Sequence, residues 1–122
     1  QCATFQEAEQ LLMLAGANGG TGDNTGLDDF INSDRLFHAK LGDLSCNPVL
    51  SSFARSLHER SIRYWYLHLW QTLDAPETFR QHRTIAEHIM NKDAGGAAEA
   101  VRAHIESLRR RLIRSQSASR AR

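Results

Sequence analysis

Four side chains in this sequence have the types and spacing for chemistry: Asp34, His38, His82 and His104. The first two lie in "INSDRLFHAKLGDLSCNP", residues 31–48, one helical turn apart. Phe30, Ile31, Phe37 and Leu41 recur around them at intervals of three and four, the mark of one buried helix face. A carboxylate and an imidazole therefore share the side that should be apolar. Leaving such a carboxylate unpaired in an apolar interior costs roughly several kcal/mol. Something must neutralise it.

Helical phase sorts the other histidines. Phe79, Ile85, Ala86 and Ile89 define an inner face, and His82 falls in line with them. His88 points away, beside Gln81, Thr84 and Lys92, and reads as solvated. Val101, Ile105, Leu108 and Leu112 form the next inner stripe, and His104 lies within it. His58 falls off the main stripe of its helix. His68 lies on that stripe without an acidic partner at helical spacing, and reads as packing or pocket lining. Three imidazoles and one carboxylate from three helices then point into one interior. That set suits a divalent transition metal, Zn²⁺, Ni²⁺ or Mn²⁺, which ligand type alone does not separate.

The elements that must position these groups are helices. The chain of 122 residues is 41% apolar and 24% charged, the proportions of an ordinary single globular domain. Proline is scarce, and helical periodicity fills every segment but one. Five helices are expected, over about 4–15, 28–44, 48–72, 74–92 and 94–114. Asn47–Pro48, the run "DAPE" from Asp74, and Asp93 supply start signals. The exception, "GANGGTGDNTG", reads as a flexible linker, because it lacks the lysine and strand context of a phosphate loop. Residues 1–29 thus form a first helix plus loop, 30–114 a core bundle, and 115–122 a frayed basic tail. Short connections favour antiparallel neighbours, hence an all-α antiparallel bundle with a central metal site. The third helix is apolar almost all round, with Leu50, Phe53, Leu57, Tyr64 and His68 on one side. It should be central or shared with a second subunit.

Charge and cysteines bound the setting. The net charge is +1, but residues 102–122 hold seven arginines against Glu106 alone. Such a tail suits either nucleic acid or a solvated helix end complementing the helix dipole. Cys2 and Cys46 make no disulfide framework, and Cys46 reads as a reduced thiol at a helix end. No apolar run is long enough to span a membrane, and no signal peptide is visible, so a cytoplasmic setting is expected. A chain opening on Gln1 suggests a piece of something longer.

The run "SDRLFHAKLGDLSCNPVL", then "QHRTIAEHI", then "DAGGAAEAVRAHI" resembles the FCD-type effector domain of GntR-family transcription regulators. The matching positions are Asp34, Phe37 and His38; Asn47 and Leu50; His82 and Ile85; Asp93, Ala97 and His104. The resemblance implies a helical bundle with metal ligands at Asp34, His38, His82 and His104. It also implies a small organic acid bound near the metal, homodimers, and control of DNA binding by an attached winged helix-turn-helix domain. That domain is not part of this chain. The sequence also departs from the family at its front, where a helix often supplies an arginine to the pocket.

The charge arithmetic favours an anion independently. Three neutral imidazoles and one carboxylate leave a dication with net positive charge, and a carboxylate effector gains a charge-assisted bond there. Arg63, Tyr64 and His68 on the third helix are the candidate effector contacts. A metal-dependent carboxylate sensor, not an enzyme, is the leading expectation. Two other readings stand beside it. One is a metal hydrolase, which would need Glu87 or Glu99 beside the metal as general acid or base. The other is a metal-free helical interaction module in which the histidines merely pack.

Overall fold

The computed structural model describes residues 4–16, 26–68, 70 and 73–121, and for His68 the backbone only. Five helices follow in order: α1 (Phe5–Gly16), α2 (Gly26–Asp43), α3 (Pro48–His68), α4 (Ala75–Met90) and α5 (Ala94–Arg120). No strand occurs among the described residues, so the all-α expectation holds. Among the described residues no helix is long and apolar enough to cross a membrane.

Local chemistry sets the helix starts. Thr4 and Glu7 form a capping box, with Thr4 N–H donating to Oε2 of Glu7 at 2.9 Å and Glu7 N–H to Oγ1 of Thr4 at 3.3 Å. Asn47 Oδ1 accepts from the N–H groups of Val49 and Leu50, both at 3.1 Å, with Pro48 in the first helical position. Asp74 and Asp93 accept from Glu77 N–H and Gly96 N–H. The starts at Asn47, Asp74 and Asp93 are those expected from sequence; the Thr4–Glu7 box is an addition.

The ends hold two differences. The frayed tail expected over 115–122 is instead helical to Arg120, and Ala121 N–H donates to the Ser117 carbonyl at 3.2 Å. No glycine or proline interrupts residues 97–121, so nothing there forces a stop. At the end of α4, Asp93 N–H bonds the His88 carbonyl and Lys92 N–H bonds the Ile89 carbonyl. That pair is a Schellman closure, with Lys92 at φ 55 where glycine is usual. The glycine-rich linker expected between α1 and α2 lies, over 17–25, outside the described residues.

Packing gives the order α3–α2–α1–α4–α5, each helix against the next. Leu11 and Ala15 of α1, Phe37 of α2, and Ile85 and Ala86 of α4 form the fully buried core. The expectation that α3 is central or shared thus resolves to the edge of the bundle. Its only extensive helix neighbour is α2. Polar clamps join the pair: Arg35 to Glu59, and Asp43 to Ser51 at 2.9 Å and to Arg55 at 3.2 Å. Leu50, Phe53 and Leu67 of α3 face outward.

The left-handed Lys92 gives the first test. A non-glycine residue there costs about 1–2 kcal/mol, part of which glycine forfeits through its freer unfolded chain. Lys92→Gly should therefore stabilise the protein by roughly 0.5–1 kcal/mol, raising the thermal midpoint by a few degrees. Calorimetry would read the change, and a lowered midpoint would refute the argument.

Candidate metal centre

Asp34 is the hub of the site. Its side chain, on the inner face of α2, retains 15% exposure. Three imidazoles approach it: His58 Nε2 at 3.1 Å from Oδ2, His38 Nε2 at 3.4 Å from Oδ1, and His82 Nε2 at 3.5 Å from Oδ1. His104 completes the group from α5, its ring centroid 4.8 Å from that of His82 and 5.7 Å from that of His38. The structure therefore brings Asp34, His38, His82 and His104 together, as helical phase predicts. It also adds His58, which that phase argument left out.

His58 was missed because the wrong stripe of α3 was taken as its inner face. The α3 residues that line the cavity are Ala54, Leu57, His58, Ser61, Ile62, Trp65 and Tyr66, a stripe at helical spacing that Leu57 shares with the greasier one. The greasier stripe through Leu50, Phe53, Leu57 and Tyr64 is exposed. The same correction removes two effector candidates. Arg63 and Tyr64 lie on exposed parts of α3 and do not line the cavity beside the site. His68, the third, has a side chain outside the described residues. A signal for His58 existed: it lies four residues before Ile62, the one buried apolar residue described on α3.

Neighbours hold the imidazoles in place. His82 stacks face to face on Phe37 at 4.1 Å between centroids, and His38 stacks on His58 at 4.0 Å. His104 Nδ1 lies 2.6 Å from Gln81 Oε1, so Nδ1 carries the proton and donates. Gln81 Nε2 in turn donates to Glu77 Oε1 at 2.9 Å and to Ser107 Oγ at 3.2 Å. This chain leaves His104 Nε2 as a lone pair turned inward, the usual way an outer hydrogen bond orients a ligating histidine. The sequence reading put Gln81 on the solvent side, where it does not lie. His88, expected in solvent, instead pairs with Asp93 at 3.0 Å.

Electrostatics favours the ligating forms. Burial by itself would raise the Asp34 carboxyl, but hydrogen bonds and charge from His38 and His58 outweigh it and hold the group well below the usual carboxylate range. Burial, reinforced by charge at His38, lowers His82 to about 3 and His104 to about 4, against an ordinary 6.5. Both are therefore neutral imidazoles near pH 7. Their buried nitrogens are short of partners: both nitrogens of His82 and Nε2 of His104 make no hydrogen bond. Each such orphan costs about 1–3 kcal/mol.

A divalent metal would relieve one such nitrogen on each ring at once. Donor atoms of His38, His82 and His104 fall within 4.8 Å of one another, as do those of Asp34, His38 and His58. Donors on one ion at bond lengths near 2.1 Å lie at most about 4.2 Å apart, so small side-chain rotations would close either group on an ion. The residues suit Zn²⁺, Ni²⁺ or a similar ion. Glu87 and Glu99, the carboxylates a hydrolase would need, are exposed.

Beside the cluster lies a cavity of about 390 Å³, walled by α2, α3, α4 and α5. Asp34, His38, His58 and His104 line it, while His82 sits behind them against Phe37.

Protons and stability are linked through the two depressed histidines. Between pH 6.5 and 4 the unfolded chain binds more protons at these positions than the folded one, so stability falls as pH falls. Chelator-treated protein should lose on the order of a few kcal/mol across that window. His104→Asn should flatten the slope. Thermal melts at half-unit pH steps would show it, and equal slopes in parent and variant would contradict it.

Comparison with known proteins came out one-sided. The FCD domain family model matches residues 1–107. No curated protein and no solved structure matches the chain.

Proposed function

The chain belongs to the FCD-domain family, the effector-binding domains of GntR-type transcription regulators, and on that premise we propose that it is a metal-dependent sensor of a small organic acid. Asp34, His38, His82 and His104 would hold the ion, with His58 as a further donor from α3. A bound dication would supply net positive charge and coordination positions open to a carboxylate. The observation that carries this reading is the shared wall: four of the five donor residues line the cavity, so a molecule entering it meets the site.

The chain's own residues divide the work. Asp34 provides the negative charge that selects a cation, and the buried neutral imidazoles provide lone pairs. Gln81 and Glu77 fix the His104 ring. Phe37 shields His82 from water, which strengthens every electrostatic interaction nearby. An effector in the cavity would lie between α3 and α5, two helices that face each other without extensive packing. Contacts made to both helices would shift the equilibrium between their arrangements. The outward Leu50, Phe53 and Leu67 of α3 support a homodimer, through which that shift would reach DNA-reading winged-helix domains. Such a regulator works in the cytoplasm.

Metal loading tests the reading. Adding Zn²⁺ or Ni²⁺ at 100 times its Kd to chelator-treated protein should stabilise it by about 2.7 kcal/mol, on the order of 10 °C in thermal midpoint. His82→Ala or His104→Ala should remove most of that gain. Elemental analysis should find about one ion per chain in the parent. A midpoint indifferent to metal, with no ion retained, would leave only a metal-free helical module.

A further inference from the structure

The cavity contains a second charged group, far in sequence from Asp34. Arg111 of α5 lines its wall, and guanidinium Nη1 is buried without a hydrogen-bond partner. Nearby arginines on the same helix are engaged at the surface: Arg102 with Glu99, and Arg109 and Arg110 with Glu106. The acid whose field Arg111 shares, Glu77, makes its own contacts with Arg80 and Gln81. Among the described residues, no other arginine or lysine lines the cavity.

A guanidinium cannot shed its proton to escape burial, so an orphaned nitrogen on it is costly until an acceptor arrives. Planar carboxylates match its fork best. Position supports the same occupant. Arg111 lies seven residues after His104, two turns along one face and about 10.5 Å along the axis, and helical side chains lean back toward the N-terminus. Its head therefore reaches along the cavity toward the imidazole cluster.

The wall between these two ends is apolar, built mainly from Ile62, Trp65, Leu73, Ile105 and Leu108. Polar side chains are few. Thr78 spends its hydroxyl on the Asp74 carbonyl, and Ser61 on that of Leu57. Beyond the imidazole cluster at one end, a sugar acid would find few partners for its hydroxyls, and each one left unpaired costs about 1–3 kcal/mol. A volume of about 390 Å³ is near the small end for ligand pockets and suits one ring with a short side arm.

We propose that Arg111 is the carboxylate anchor of this cavity, and that the ligand is an acid with an aromatic or branched-aliphatic body in place of a polyhydroxylated one. The proposal deepens the sensing reading and rests on it for the use of the cavity. It does not rest on the ion, because the anchor is a residue of the chain.

Three probes separate the possibilities: 3-phenylpropionate, 3-phenylpropionamide and gluconate. Trp65 and Trp70 both line the cavity, so quenching of their fluorescence reports entry, with calorimetric titration as a second readout. The phenyl acid should bind, the amide at least tenfold more weakly, and gluconate not measurably. Arg111→Gln should weaken the acid tenfold or more while leaving the amide unchanged, and Arg111→Lys should recover part of the loss. Circular dichroism and zinc content on the same samples distinguish lost anchoring from lost folding or lost metal. Equal binding of the acid by parent and Arg111→Gln overturns the proposal, as does gluconate binding as tightly as the phenyl acid. Repeating the titrations after chelation separates the two readings. Arginine-dependent binding of the acid that survives in a protein with no metal affinity upholds the anchor and refutes the metal.

Discussion

A carboxylate that cannot be left alone governs this structure. Asp34 is held on the inner face of α2 with little access to water, and three helices bring imidazoles to it. Those imidazoles do not all solve the problem in the same way. His38 and His58 stack on each other and each turns Nε2 toward the acid. His82 and His104 are too deeply buried to charge near neutral pH, so they offer lone pairs that no donor among the described residues meets. A site with one acid and several inward lone pairs that lack partners is incomplete by itself. The rest of the fold serves to keep it so.

The supporting scaffold is apolar and lies on the other side. Leu11, Ala15, Phe37, Ile85 and Ala86 knit α1, α2 and α4 into a dry core. Phe37 belongs to both halves, packing into that core on one side and stacking on His82 on the other. Ile85 similarly joins the core and the cavity wall. The donors thus stand on rigid helices whose rotamers are fixed by packing. That is the condition for a site to keep its geometry when empty. The Glu77–Gln81–His104 chain adds the directional element that packing lacks, because only a hydrogen bond selects which ring nitrogen carries the proton.

How much of this the sequence disclosed depends on how cleanly each helix is divided. On α2, α4 and α5 the apolar positions make a single face, so phase alone placed Asp34, His38, His82 and His104. On α3 apolar residues occur nearly all round. The denser stripe, through Leu50 and Phe53, turns to solvent, and the stripe carrying Ser61 and His58 turns inward. Hydrophobicity was a poor guide there because α3 packs on α2 largely through ion pairs and hydroxyl contacts. Arg63 and Tyr64 were misplaced by that same choice. Gln81 and Arg111 were overlooked for a related reason, since polar residues beside an inner stripe read as solvated until a polar cavity partner is known. The caps at Asn47, Asp74 and Asp93 were legible because they depend on neighbours within four residues.

The weak join between α3 and α5 connects the site to a regulatory role. Each helix is anchored on its far side, α3 by the clamps to α2 and α5 by packing on α4. Toward each other they present a cavity, with His58 and Trp65 on one wall and His104, Leu108 and Arg111 on the other. Without an occupant, little besides the imidazole cluster sets their separation. An occupant adds contacts to both walls at once and so discriminates between arrangements of the pair. A ligand shifts an equilibrium only by its difference in affinity for the two states. A rigid core with the same donors would bind and transmit nothing. Here the cavity lies between two helices that share little packing among the described residues, so a molecule touching both walls would bias their arrangement.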